Sequence, residues 1–460
     1  MSPLRLFLVV LSCIVLSQGQ LQYDYASVIS KSLLFYEAQR TGRLPADNRI
    51  PWRGDSFLDD KGLSGEDLSG GYFDAGDFVK FGFPLASAMS MLAWGMVDSV
   101  EGYKKAGEWE NALASLKWGM DYMIKNHPSP NVLYVQVGNG EIDHNYWGRP
   151  EDWTTSNGPR PVLQANSSKP ASEVAGEQSA AMAAASIAFR QNGNTSYADT
   201  LLQHARELYT FATTYRGHYN ESFPEVKEFY DSYSGYGDEL AWSASWLYRA
   251  TGEAGYKADY EQWWSDFGLS GRPSEASWDW KQAHVQVLLA SVDGAARYRT
   301  AAESFCNWVV NTAPKTPKGL VFISMWGSLR HASNVVFLCL QAANAGINQQ
   351  VYRDFGKQQI DYMLGNSGRS FVIGFGTNPP QRPHHASSSC RDRPAPCDWA
   401  DFSKPEPNPQ VLHGALVGGP DQNDNYVDDR EDYVANEVTL DYNAGFQGAV
   451  SEMCNIYCRT

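Results

Sequence analysis

Two segments lying far apart in the chain each crowd carboxylates between aromatic side chains. In GGYFDAGDFVKFGFP, Gly70 to Pro84, Asp74 and Asp77 stand three residues apart. In GGPDQNDNYVDDREDYVANEVTLDYNAGF, Gly418 to Phe446, six acids precede Glu437. Acids on two separate loops suit glycoside hydrolysis, where one carboxyl protonates a leaving oxygen and another activates water or attacks. Asp77, just ahead of a helical pattern, is predicted to serve as an N-cap. Asp74 has no capping role to play and sits in a loop tightened by Gly71 and Gly76. Glu437 is predicted to open the last helix, which raises a tension. A helix start favours a charged carboxylate, whereas a general acid must keep its proton. Burial and neighbouring acids would have to push the other way.

A third segment, SFVIGFGTNPPQRPHHASSSC, places His384 and His385 in a Pro-rich loop as donors for sugar hydroxyls. No HExxH or cysteine pair supports zinc there. Asp421, Asn423, Asn425, Asp429 and Asp432 fall at EF-hand-like offsets. Tyr426 stands where that loop needs Gly, however, and its last position is Asp rather than Glu. The 15 Trp and 25 Tyr can stack on flat, polar-edged ligands such as sugars, although core packing claims most of them.

Apolar periodicity marks twelve helices to hold these loops: 22–41, 78–98, 106–127, 171–192, 196–216, 237–251, 255–267, 279–292, 295–312, 329–346, 349–364 and 436–457. Short strands are predicted at Leu133–Val137 and Leu320–Ile323. Paired helices with short turns suggest antiparallel hairpins around a closed ring. The long loops at 42–77, 130–170, 313–328 and 365–435 would gather at one end to form a cleft.

Residues 1–19 read as a secretory signal: Arg5, an apolar stretch from Leu6 to Leu16, then small residues. Residues 20–460 are expected to form one domain, secreted, monomeric and without a separate cellulose-binding module. Cys390 and Cys397 are the expected local disulfide. Cys306 and Cys339 could equally be buried thiols, and Cys454 and Cys458 are unassigned. Sequons at Asn166, Asn194 and Asn220 fit a glycosylated surface. A net charge of −15 argues against nucleic acid or an anionic membrane as partner.

These segments, with LLFYEAQRTGRLP, YGDELAWSASWLYRAT and TPKGLVFISMWGSLRHASN, resemble glycoside hydrolase family 9, in particular invertebrate endo-β-1,4-glucanases. The resemblance implies an all-α (α/α)6 barrel and inverting hydrolysis of internal β-1,4-glucosidic bonds in a β-glucan. It makes Asp77 the base, Asp74 its helper in holding water, and Glu437 the acid, the two carboxyl groups roughly 6.5–9.5 Å apart. His384 and Asp428 match active-site positions of the family. His144, His385, Trp326, Arg330 and Tyr442 are expected to bind substrate. YSGYGDELAW implies a structural Ca²⁺ on Ser234, Gly235, Asp238 and Glu239, with Asp279 as a further acid. One departure stands out: the family usually has Arg two residues after the first His, where this chain has Ala386. The loss implies weaker binding in one subsite or, alternatively, a non-hydrolytic or feeble glucan-binding protein.

Overall fold

The computed structural model describes residues 23–459, so the expected leader at 1–19 lies outside them. Twelve long helices are present: α1 Tyr25–Ala38, α2 Gly82–Asp98, α3 Trp109–Asn126, α4 Ser172–Gln191, α5 Thr195–Thr214, α6 Gly237–Thr251, α7 Ala254–Asp266, α8 Gln282–Val292, α9 Ala296–Asn311, α10 Ser328–Asn344, α11 Gln349–Asp361 and α12 Leu440–Tyr457. Each corresponds to a predicted helix. Even-numbered helices touch in the cyclic order α2, α4, α6, α8, α10, α12 and back to α2, while each odd-numbered helix packs outside them. This is the (α/α)6 barrel.

Burial explains the division. Every residue of α2 except its last is buried, whereas α7 buries only Tyr260 and Trp264. On α4 the run Ala180 to Ala185 is fully buried and keeps side-chain bulk low where α4 meets α2, α5 and α6. Gly176 of α4 is needed for such an approach, because a Cβ there would lie 3.1 Å from Cβ of Glu239 on α6. Trp94, Trp242 and Trp246 interlock edge to face or tilted at 5.4–5.9 Å within the inner ring.

Three short strands form an antiparallel sheet in the order β1 Lys80–Phe81, β2 Leu133–Val137, β3 Val162–Ala165. The strand predicted at Leu320–Ile323 is reduced to a single bridge between Lys315 and Val321. Pro314 and Pro317 flank that bridge and cannot donate to a ladder. Disulfides join Cys306 to Cys339, Cys390 to Cys397, and Cys454 to Cys458. The first therefore ties α9 to α10, resolving the choice left open by the sequence. Among the described residues no helix is long and apolar enough to cross a membrane.

Two predicted helix starts are corrected. α2 begins at Gly82 after Phe81, so Asp77 lies in a bend five residues upstream and caps nothing. Pro84 is the signal that was overlooked: lacking an N–H, it belongs in a first turn. α12 begins at Leu440 under a Thr439 cap, whose side chain accepts from the Tyr442 amide at 3.2 Å. Glu437 is thus outside the helix, in an extended bridge beside His384.

Candidate active site

The loops that enter α2, α6, α8, α10 and α12 meet over one end of the inner ring and enclose a cavity of about 630 Å³. Asp74 and Asp77 come from the first loop, Tyr230 from the second and Trp278 from the third. Trp326 comes from the fourth, with Arg330 following in the first turn of α10, and Glu437 from the last. Backbone bonds lock these loops together. The Leu440 amide donates to the Asp74 carbonyl at 2.9 Å, the Ala386 amide to Gly76 at 3.0 Å, and the His384 amide to Asn436 at 2.9 Å. Gly76 is required by this contact, since a Cβ would sit 2.2 Å from the His384 carbonyl oxygen.

Asp74 is buried. One oxygen accepts from the Tyr230 hydroxyl, and Oδ1 has no protein partner. Burial, then the charge of Asp77, pushes its carboxyl well above the ordinary range, against the pull of Tyr230. Asp77 accepts from His144 Nε2 at 3.3 Å through Oδ2, and its buried Oδ1 is likewise unpartnered. That bond to Asp77 raises the pKa of His144 against the opposing effect of burial. The two unpartnered oxygens belong to the acids on one side of the divided pair.

Glu437 Oε2 accepts from Trp326 Nε1 and from the Tyr442 hydroxyl, both at 2.9 Å. Those bonds stabilise the anion, but burial outweighs them and holds the carboxyl up at about 7. The tension raised by a helix start disappears, because Glu437 is not in the first turn. Arg330 lies over the Tyr442 ring at 5.2 Å and pairs with Asp441 at 3.3 Å.

His384, His144, Trp326, Arg330 and Tyr442 all line the cavity. The Nδ1 of His384 donates to the Arg430 carbonyl at 2.8 Å, which leaves Nε2 as the free nitrogen. Two assignments change. His385 is buried with both nitrogens engaged, by Gln39 at 2.8 Å and the Ser388 amide at 3.0 Å, and it does not line the cavity. Asp428 is also outside the lining; its two oxygens accept from the amides of Gln381 and Arg382 at 2.8 and 3.0 Å. It holds the backbone just ahead of His384.

Sequence reasoning missed Asp143, Tyr230, Tyr433, Trp147, Trp278, Trp399 and Phe402, all of which line the cavity. Asp143 is buried, accepts from the Phe78 amide at 3.1 Å, and is pushed up to about 7 by burial and then by Asp77. The segment EIDHNYWGRPEDW, dense in acids and aromatics, was the available signal. Trp326, Trp399 and Tyr433 remain 48%, 46% and 53% exposed while lining the cavity, the arrangement expected of stacking platforms for sugar rings. Ala386 also lines it, packed with Phe73, Phe78 and Trp147, and contributes no polar group.

A second acidic group includes Asp279, the residue after the cavity-lining Trp278. Glu239 is buried with both oxygens unpartnered, and Asp279 Oδ1 is buried and unpartnered too. Asp279 Oδ2 accepts from the amides of Tyr233 and Ser234 at 3.0 and 2.8 Å, and Asp238 accepts from the Lys281 amide at 2.5 Å. Burial and then mutual repulsion raise Asp238 to about 7 and hold Glu239 well above its ordinary range. Uncompensated buried carboxylates of this kind fit a hard cation. Two tighter sets, with ligand atoms all within 4.8 Å, occur elsewhere: Asp77, Asp143 and His144 in the cavity, and His127, His204 and Glu207 outside it.

Endoglucanase B of Cellulomonas fimi is 44% identical over 95% of the chain, which spans 42% of that longer protein. Endoglucanase 14 of Arabidopsis thaliana is 42% identical, with 96% of each chain covered. The solved endoglucanase of the termite Nasutitermes takasagoensis superposes with a TM-score of 0.93 at 53% identity, covering 95% of this chain and all of that one. Endoglucanase CelQ of Clostridium thermocellum, solved with cellobiose and cellotriose, gives 0.85 at 34% identity, covering 95% of this chain and 71% of that one. The family description Glycosyl hydrolase family 9 matches residues 25–450, and the chain belongs to that family.

Proposed function

We propose that the chain is an endo-β-1,4-glucanase that hydrolyses internal bonds of cellulose or a related β-glucan with inversion. The observation that carries this reading is the buried Glu437 carboxyl, held up at about 7 on the cavity wall formed with the Asp74–Asp77 loop. Glu437 gives its proton to the glycosidic oxygen as the bond to the leaving sugar breaks. Asp77, paired with His144, takes a proton from water that attacks the anomeric carbon from the opposite face, and Asp74 helps hold that water. Trp326, Trp399 and Tyr433 supply stacking surface, Arg330 supplies donors, and His384 Nε2 supplies an acceptor. The relatives named as endoglucanases and the CelQ complexes with cello-oligosaccharides support the substrate class.

The same reading takes residues 20–460 as one catalytic unit released outside the cell. Calcium, held by Asp238, Glu239 and Asp279 with carbonyls of Ser234 and Gly235, would neutralise these acids. Reducing-sugar release from carboxymethyl cellulose tests the main claim, with Asp77→Asn and Glu437→Gln beside the unsubstituted chain. Activity lost in both variants supports the proposal, whereas an inactive parent chain that still binds glucan sinks it.

A further inference from the structure

Outside the cavity, three side chains of the outer helix layer converge. His127 follows the last turn of α3 as its C-cap, and its ring is buried. His204 and Glu207 stand three apart on α5, a spacing that puts both on one face. Nδ1 of His127 lies 2.8 Å from Nδ1 of His204, and the ligand atoms of all three residues fall within 4.8 Å of one another. We propose that His127, His204 and Glu207 form a binding site for a divalent transition metal, Zn²⁺ in the first instance.

The chemistry of the donors carries this. Two imidazole nitrogens and one carboxylate are the borderline set that suits zinc, whereas calcium prefers all-oxygen ligands. The 2.8 Å separation of the two Nδ1 atoms leaves room for one proton between them, so at least one lone pair faces the partner ring. The C-terminal end of α3 directs its carbonyl dipoles towards His127, which favours a cation there. Gln203 donates to Glu207 Oε1 at 3.0 Å and orients the carboxylate, as outer-shell partners of metal ligands do. Without metal, the two Nδ1 atoms share one proton. Zinc with bonds of about 2.0–2.1 Å at a tetrahedral angle needs the nitrogens about 3.3 Å apart. The rings must therefore part by about half an ångström, which the half-exposed His204 allows. His204 and Glu207 are reachable from solvent, so a fourth position is open to water.

The test is zinc titration of the full chain, stripped of transition metals and kept in excess calcium, followed by calorimetry and thermal melting. The parent chain should take up one zinc at this site, with a saturable rise in Tm. His204→Gln should abolish that uptake and the rise. Glu207→Gln, which leaves the histidine pair intact but removes the charged ligand, should raise the zinc Kd well beyond that of the parent chain. His144→Ala, which dismantles the set inside the cavity, should leave uptake unchanged. The proposal is overturned if the parent chain binds no zinc, if uptake survives His204→Gln, if the affinity is unchanged in Glu207→Gln, or if uptake disappears with His144→Ala. In those cases the pair is a hydrogen bond joining α3 to α5.

Discussion

At Glu437 burial works against two hydrogen bonds that favour the anion, and burial is the larger effect. Its consequence has a definite sign. The acid is active only while protonated, so kcat/KM on a cello-oligosaccharide should fall as pH rises through about 7. Asp143 lies in the same range, so the profile should be repeated in Asp143→Asn. A descending limb that persists near 7 in that variant belongs to Glu437, and one that vanishes does not. Glu437→Gln should itself lose about 10²–10⁴-fold in rate on unactivated glucan. Ala386→Arg addresses the departure from the family pattern. A forked donor at the cavity wall is worth about 1.5–3 kcal/mol per charged bond, so KM should drop about tenfold or more. An unchanged KM in a folded Ala386→Arg variant contradicts that explanation. Asp74, Asp77 and Glu437 were legible because acids between glycines and aromatics are unusual in a loop. Asp428 and His385 were expected in the site from motif position, which says nothing of where a side chain turns. Both face backbone or core groups instead of the cavity.

Between elements, the decisive interactions are backbone bonds that sew the 74–79, 384–386 and 436–440 loops together. Apolar period cannot report such contacts, which is why the twelve helices were readable and the loop geometry was not. Tyr230 and Asp143, far from the two acidic segments in sequence, enter the site only through folding. Asp428 holds the Gln381 and Arg382 amides, just ahead of His384. Asp428→Ala should therefore lower kcat/KM through loss of His384 placement while circular dichroism stays unchanged. Normal activity in that variant would show that the loop needs no such anchor.

Over the whole molecule, alternation of inner and outer helices places the entry loops of the inner ring at one end, where the cavity forms. The second acidic group ties stability to the site, because Asp279 follows Trp278, which lines the cavity. Chelation should lower Tm and activity together, and added calcium should restore both. Glu239→Gln should blunt the calcium response; a response identical to that of the parent chain would remove Glu239 from the ligand set. Ring closure was legible from twelve helical periods, whereas which acids pair with which was not, since that depends on contacts across hundreds of residues. The central claim is a divided acid and base with water between them. Proton NMR of the first product formed from cellopentaose tests it most directly. The α-anomer should accumulate first and then mutarotate; initial appearance of the β-anomer would contradict inversion and the roles given to Asp77 and Glu437.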